Sequence, residues 1–266
     1  ILTGTGAING TGNASANLVR GNGASNRLNG GDGFDALEGG AGDDTLTDFS
    51  GGNYYDGGAG TDTLTGSFSG DFLMGGTGND TVDSGNGMDV IAFNLGDGQD
   101  TVNPSGGIDN TVSLGGAGLT YSSLTFQKSG NNLILNVSAA DKMTFTSWYS
   151  GSANKNALNL QVVAQAMAGF DAASSDPLLN QKVQEFNFQG LVGAFDAARA
   201  ANPGITTWAL TNALAQYHLS GSDTDALGGD LAYYYGRDGT LAGVGFDKAQ
   251  DVVGSAQFGA QAQTLR

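Results

Sequence analysis

Residues 1–103 hold 14 of the 26 acidic side chains but only two basic ones, Arg20 and Arg27. Six of those acids share one repeated position with three asparagines. Asn17, Asn26, Asp35, Asp44, Asn53, Asp62, Asp71, Asp80 and Asp89 follow one another at intervals of nine without drift. No Lys or Arg occurs between Arg27 and Lys128, so these groups have no local cationic partner in sequence. Carboxylate and amide oxygens at fixed spacing, with glycine carbonyls ahead of them, are hard-oxygen donors. Their chemistry is the binding of a divalent cation such as calcium, which takes about six to eight oxygens.

The elements that carry these oxygens follow from the same period. Nine nonapeptide units run from residue 12 to residue 92, starting at Gly12, Gly21, Gly30, Gly39, Asp48, Gly57, Gly66, Gly75 and Ser84. The eighth position reads Val19, Leu28, Leu37, Leu46, Tyr55, Leu64, Leu73, Val82 and Ile91. A period without drift makes each unit one step of a stacked array. Glycines at positions one, two and four permit a tight turn. Positions seven to nine read as a short strand, with the eighth side chain inward and its neighbours outward. Two units close one coil, so units 18 residues apart stack at a strand spacing of about 4.8 Å. Bare carboxylates that close repel by about 1 kcal/mol even in water, and a shared cation reverses the sign.

The stacking sorts the candidate ligands into two rows. The first row is Asn26, Asp44, Asp62 and Asp80, continuing to Asp100 after a two-residue insertion at Phe93-Asn94. Its loops contribute Gly39, Gly40, Ala41 and Gly42, then Gly57, Gly58, Ala59 and Gly60, then Gly75, Gly76, Thr77 and Gly78, with Gly96 and Gly98 before Asp100. The second row is Asn17, Asp35, Asn53, Asp71 and Asp89, with Gly30 and Asp32 in the loop before Asp35. Units 48–56 and 66–74 lack key glycines. The first row is therefore expected to be filled with cations and the second gapped. Phe49, Tyr54, Phe68, Phe72 and Met74 lie on the defective side, and Phe72 and Met74 occupy outward positions. Such a patch predicts a covering element, here the C-terminal segment; the other reading is that these side chains merely fill a swollen coil.

Units 30–38, 39–47, 57–65 and 75–83 all fit G-G-x-G-x-D-x-U-x. The chain thereby resembles the RTX family of haemolysin-type calcium-binding repeats, specifically the C-terminal part of secreted members. Residues 1–29 resemble the Asn-bearing repeats that precede full ones. The segment 93–163 resembles what often follows them, through Asp97-Gly98-Gln99-Asp100-Thr101, Leu114-Gly115-Gly116, Leu124–Leu133, Trp148-Tyr149 and Leu158–Val162. The resemblance implies several calcium ions as cofactor, export by a type I secretion system through an uncleaved C-terminal signal, and folding outside the cell or at its surface. It also implies an upstream passenger domain in the same polypeptide. Ile1 in place of Met fits part of a longer chain.

The expected fold is mainly β with an α-helical C-terminal region: a right-handed parallel β-roll over 1–103, a β-rich cap over 104–170, and a mainly helical region with the secretion signal over 171–266. Leu133–Val137 and Lys142–Thr146 read as strands of the cap, with Trp148 and Tyr149 as its core. Residues 177–220 and 247–262 read as helices, with Asp176-Pro177 as an N-cap pair. A self-processing Asp-Pro bond, known in some RTX proteins, is the other reading of that pair. Leu191, Val192, Phe195 and Ala198 form a helical stripe. Tyr233-Tyr234-Tyr235 suits either a strand or a helix.

The remaining features narrow the function. A net charge of −16 disfavours nucleic acid. No apolar run reaches the length of a membrane span. The chain has no cysteine, which fits a cytosolic protein or a secreted one stabilised by metal. One histidine, His218, cannot make an H-E-x-x-H zinc site, and no G-x-S-x-G elbow is present. Asp223, Asp225 and Asp230 read as a solvated loop or an extra metal site. The expectation is a non-enzymatic calcium module. Self-assembly as a surface-layer or biofilm component, or attachment to a secreted hydrolase, are the alternatives.

Overall fold

The apolar eighth positions build the interior of two facing parallel sheets. The computed structural model describes residues 1–107 and 109–266. One sheet stacks Arg27–Asn29, Thr45–Thr47, Thr63–Thr65, Thr81–Asp83 and Gln99–Val102. The other stacks Asn17–Arg20, Asp35–Ala41, Tyr54–Gly60, Phe72–Gly78, Val90–Asn94 and Asn110–Gly115. Registers are one coil apart: Leu46 faces Leu64 and Leu64 faces Val82, while Leu37 faces Tyr55 and Tyr55 faces Leu73. All of these side chains are buried in one core. The chain is a parallel β-roll, as the period predicts.

The two sheets use the repeat differently. Arg27–Asn29, Thr45–Thr47, Thr63–Thr65 and Thr81–Asp83 of the first sheet span three residues, the expected positions seven to nine. Asp35–Ala41, Tyr54–Gly60 and Phe72–Gly78 span seven and run on into the following loop. Gly40, Gly58 and Gly76 thus pair across the ladder, as do Ala41, Ala59 and Thr77. Gly58 has φ of +99°, and a Cβ there would overlap the Gly40 carbonyl. Only glycine lets these backbones stack so closely.

The open end of the roll is closed by strands. Lys142–Phe145 continues the first sheet in parallel, and Asn132–Asn136 and Thr125–Ser129 add antiparallel. Ala157–Val162 extends the second sheet. Trp148 is fully buried against Phe145 and Phe188, as expected of a cap.

Residues 177–220 depart from the helical reading. Asp176-Pro177 begins a single turn, with Asp176 Oδ1 accepting from Leu178 N at 2.9 Å. Val183–Asn187 is a strand antiparallel to Ala157–Val162, and His218–Ser222 pairs with it in turn. An exposed sheet edge takes up these residues in preference to a marginal helix. The helix begins only at Phe188–Ala201, where Asn187 Oδ1 accepts from Gly190 N at 2.8 Å. Leu191, Val192 and Phe195 are its buried stripe. Tyr233–Tyr235 lie in the helix Gly229–Asp238.

The covering element is present. Gly229–Asp238 and Phe246–Val253 lie on the outer face of the second sheet. Leu231, Ala232, Tyr235, Ala249, Val252, Val253 and Phe258 bury Ala36, Tyr54, Phe72, Met74 and Val90. Tyr235 fixes the docking through its hydroxyl to Asp97 Oδ2 at 2.8 Å, and its carbonyl takes Asn94 Nδ2 at 2.8 Å. Phe49 and Phe68 are not covered, at 61% and 72% exposed. They sit at loop tips beyond the reach of the helices, which corrects that part of the expected patch.

Candidate metal centre

Each sixth-position carboxylate splits its two oxygens between two tasks. Asp44 Oδ1 accepts from Asn26 N at 2.7 Å, Asp62 Oδ1 from Asp44 N at 2.7 Å, Asp80 Oδ1 from Asp62 N at 2.7 Å, and Asp100 Oδ1 from Asp80 N at 3.0 Å. This ladder joins coil to coil along the first row. The second oxygen differs. Asp44, Asp62 and Asp80 each bury an Oδ2 with no hydrogen-bond donor. Leaving an acceptor of that kind unpaired costs about 1–3 kcal/mol, more when it is charged.

The position-one glycines open the space that these oxygens face. A Cβ at Gly39 would overlap Asp44 Oδ2 and meet the Gly57 carbonyl at 2.5 Å. One at Gly57 would meet Asp62 Oδ2 at 2.6 Å and overlap the Gly75 carbonyl. Each coil thus presents a carboxylate oxygen and the next coil's carbonyl to a common cradle. Among the described residues, no three acidic or imidazole side chains converge on one point. The donor set is one carboxylate plus backbone oxygens, which suits a hard cation of flexible geometry.

Burial disfavours the charged form throughout. It pushes Asp62 up to about 7, Asp80 to about 6 and Asp100 to about 8, and raises Asp44 as well. Neighbouring carboxylates add to the rise at Asp62, Asp80 and Asp100.

The second row keeps the ladder but varies the rest. Asn17 N, Asp35 N, Asn53 N, Asp71 N and Asp89 N donate in turn to Asp35, Asn53, Asp71, Asp89 and Asn110, at 2.7 to 3.0 Å. Asp35 and Asp89 have unpaired Oδ2 atoms like the first row. At Asn53 and Asp71 the protein supplies its own donors. Asn53 Nδ2 donates to the carbonyls of Ser50 at 3.0 Å and Gly51 at 3.1 Å. Ser67 N donates to Asp71 Oδ2 at 2.6 Å, and Ser67 Oγ to the Gly51 carbonyl at 2.5 Å. The row is closed at that step and open on either side of it.

Residues 11–102 match the RTX calcium-binding nonapeptide repeat family, in overlapping stretches 11–46, 20–53, 29–64, 56–91 and 65–102. The repeats of this chain are RTX repeats. No curated protein matches the chain. The RTX repeat is a calcium-binding structural element, and the unpaired oxygens and glycine cradles fit that ion.

The predicted positions fare unequally. Asp44, Asp62, Asp80 and Asp100 converge along one edge, with Gly39, Gly57 and Gly75 beside the orphan oxygens of the first three. Asp32 is exposed at its loop tip. Gly98 is engaged by the cap, since its carbonyl accepts from Lys142 N at 2.9 Å. Gly96 has nothing near the place of its missing side chain. Ser67 and Asn110 were missed, because a hydroxyl or amide that stands in for a cation has no signature in the repeat. Asp230, one of the acidic cluster, pairs with Lys248 at 3.0 Å and accepts from Arg266 N, as part of the C-terminal packing. His218 is half-buried on a strand, with Nε2 at 2.7 Å from Gln184 Oε1. Among the described residues, no helix is long and apolar enough to cross a membrane.

Proposed function

We propose that the chain is a non-enzymatic calcium module that stays unfolded in calcium-poor cytosol, is exported by a type I secretion system, and folds outside on binding several calcium ions. Folded, it stabilises or anchors a larger exported polypeptide of which it is a part. The carrying observation is the row of buried, unpaired Oδ2 atoms at Asp44, Asp62 and Asp80. Ions at this edge would be held by those carboxylates with the carbonyls of the Gly39, Gly57 and Gly75 loops. Calcium supplies positive charge that neutralises the stack. Extracellular modules bind calcium at roughly 10⁻⁴–10⁻³ M, so the fold would respond to export itself.

Calcium titration followed by circular dichroism tests this. The calcium-free chain is expected to lack the β spectrum and to gain it cooperatively. A calcium-free chain already fully folded would contradict the reading.

Exposed Phe49 and Phe68 favour a second reading, in which rolls self-assemble through their loop tips as a surface-layer or biofilm component. Calcium-dependent oligomers in light scattering, lost in Phe49→Ser/Phe68→Ser, would support it. A monomer at all calcium levels would dismiss it.

A further inference from the structure

Asp48 stands at position one of its unit, where the coils on either side carry Gly30 and Gly66. In the regular coils, the cradle beside position one is bounded by a carboxylate Oδ2 and the next coil's position-one carbonyl, as with Asp44 and Gly57 beside Gly39. Beside Gly30 the arrangement changes. A Cβ there would overlap Asp35 Oδ2 and Asp48 Oδ2 together. The nearest oxygen from the next coil is there a side-chain carboxylate, where Gly39 and Gly57 meet a neutral carbonyl.

Both oxygens are buried, and neither has a hydrogen-bond donor. The side chain of Asp48 is fixed, because its other oxygen accepts from Phe49 N at 2.7 Å and Ser50 N at 3.2 Å. The opposing Asp35 is fixed by Asn17 N at 2.7 Å. Two carboxyl oxygens are therefore held rigidly against each other, and none of the ion pairs among the described residues includes either one. Burial and the neighbouring Asp48 push Asp35 up to about 7, in keeping with two carboxylates crowded without a counter-charge.

We propose that Asp35 and Asp48 form a divalent-cation site that the nonapeptide pattern does not specify, and that it is the tightest calcium site of the roll. The inference rests on the calcium reading above. Calcium affinity rises with ligand charge and site rigidity, and this site exceeds the regular ones in charge by one carboxylate. It is also isolated, since the next step of its row is closed by Asn53 and Ser67. The loss of glycine in unit 48–56, which reads in sequence as a defect, is a gain of a ligand.

Isothermal calcium titration of the full chain tests this with Asp48→Asn, Asp48→Gly and Asp62→Asn. Asparagine keeps the acceptor for Phe49 N and Ser50 N, and glycine restores the first position of the repeat. Both Asp48 variants are expected to weaken the tightest phase by about tenfold or more and to reach the wild-type dichroism at saturating calcium. Asp62→Asn should spare that phase and remove a weaker one. Asp48 variants that keep the tightest phase would overturn this inference while leaving the calcium reading intact. A wild-type chain that takes up no calcium would overturn both. An Asp48→Asn chain that cannot fold in saturating calcium would also count against it, since only one ion should be affected.

Discussion

The two edges of the roll are made from the same nonapeptide, and at one step, between Asn53 and Asp71, the second answers with protein donors the electrostatic problem that the first leaves to a cation. Along the first row, Asp44, Asp62 and Asp80 each keep an unpaired buried oxygen. Along the second, Asn53 and Ser67 donate into the equivalent space and satisfy it with protein hydrogen bonds. The sheet face beside that second row also carries the C-terminal helices. One edge depends on an external cation and the other is partly self-sufficient. The teaching is that a lapse in the repeat need not be decay, because a donor or a helix can stand where an ion would otherwise be required.

Several experiments can break or sharpen that contrast. The largest effect should come from pH in calcium-free buffer, because several carboxylates act together. Their folded-state values are raised, to about 7 for Asp62, 6 for Asp80, 8 for Asp100 and 9 for Asp89, against 3.8 for the unperturbed group. A raised value favours the protonated folded state. Its stabilisation is complete below the unfolded value and lost as pH climbs through the folded values. The calcium-free roll should therefore gain structure on acidification and lose it progressively from about pH 4 to about pH 9, as followed by dichroism. A calcium-free chain whose stability rises with pH over that range would refute the electrostatic account.

Next in size is Phe72→Ala. Its ring is fully buried between the roll and the C-terminal helices, and such truncations cost about 3–5 kcal/mol. Denaturant melts should show that loss with the number of bound ions unchanged. Ser67→Ala comes third, at about 1–3 kcal/mol, since it removes the hydroxyl's bonds to the Gly51 carbonyl, Asp71 Oδ1 and Ser69 N together. Its cost should grow as calcium is lowered toward the folding midpoint. If calcium makes no difference to it, the hydroxyl is not standing in for an ion. The smallest effect is that of Asp62→Asn. At calcium ten times the dissociation constant, losing one site costs about 1.4 kcal/mol. In calcium-free buffer the variant should hold its structure to a higher pH than the wild type, because the amide carries no charge to repel Asp44 and Asp80.

Much of this was legible in the sequence because the eighth and sixth positions each have one job. An apolar residue at the eighth must face inward, and an oxygen-bearing side chain at the sixth must bridge coils. Leu37, Leu46, Leu64 and Asp44, Asp62, Asp80 follow directly. The insertion at Phe93-Asn94 was legible too, since Asp80 N reaches Asp100 across 20 residues where 18 is the rule. What could not be read is compensation. Ser67 looks like a lost glycine until its hydroxyl is seen on the Gly51 carbonyl. Phe68 and Phe72 both belong to the apolar patch of the defective side, and the reach of Val253 and Phe258 decides that only Phe72 is covered. Beyond residue 176, short polar-apolar alternations such as Val183–Asn187 fit strand or helix locally, and the open sheet edge made the choice.

Crystals grown in calcium, with anomalous scattering collected to locate the ions, would examine the central claim most directly. The account predicts peaks between successive coils beside Asp44, Asp62 and Asp80, and none between Asn53 and Asp71. Peaks at the Asn53–Asp71 step, or none along the first row, would contradict it.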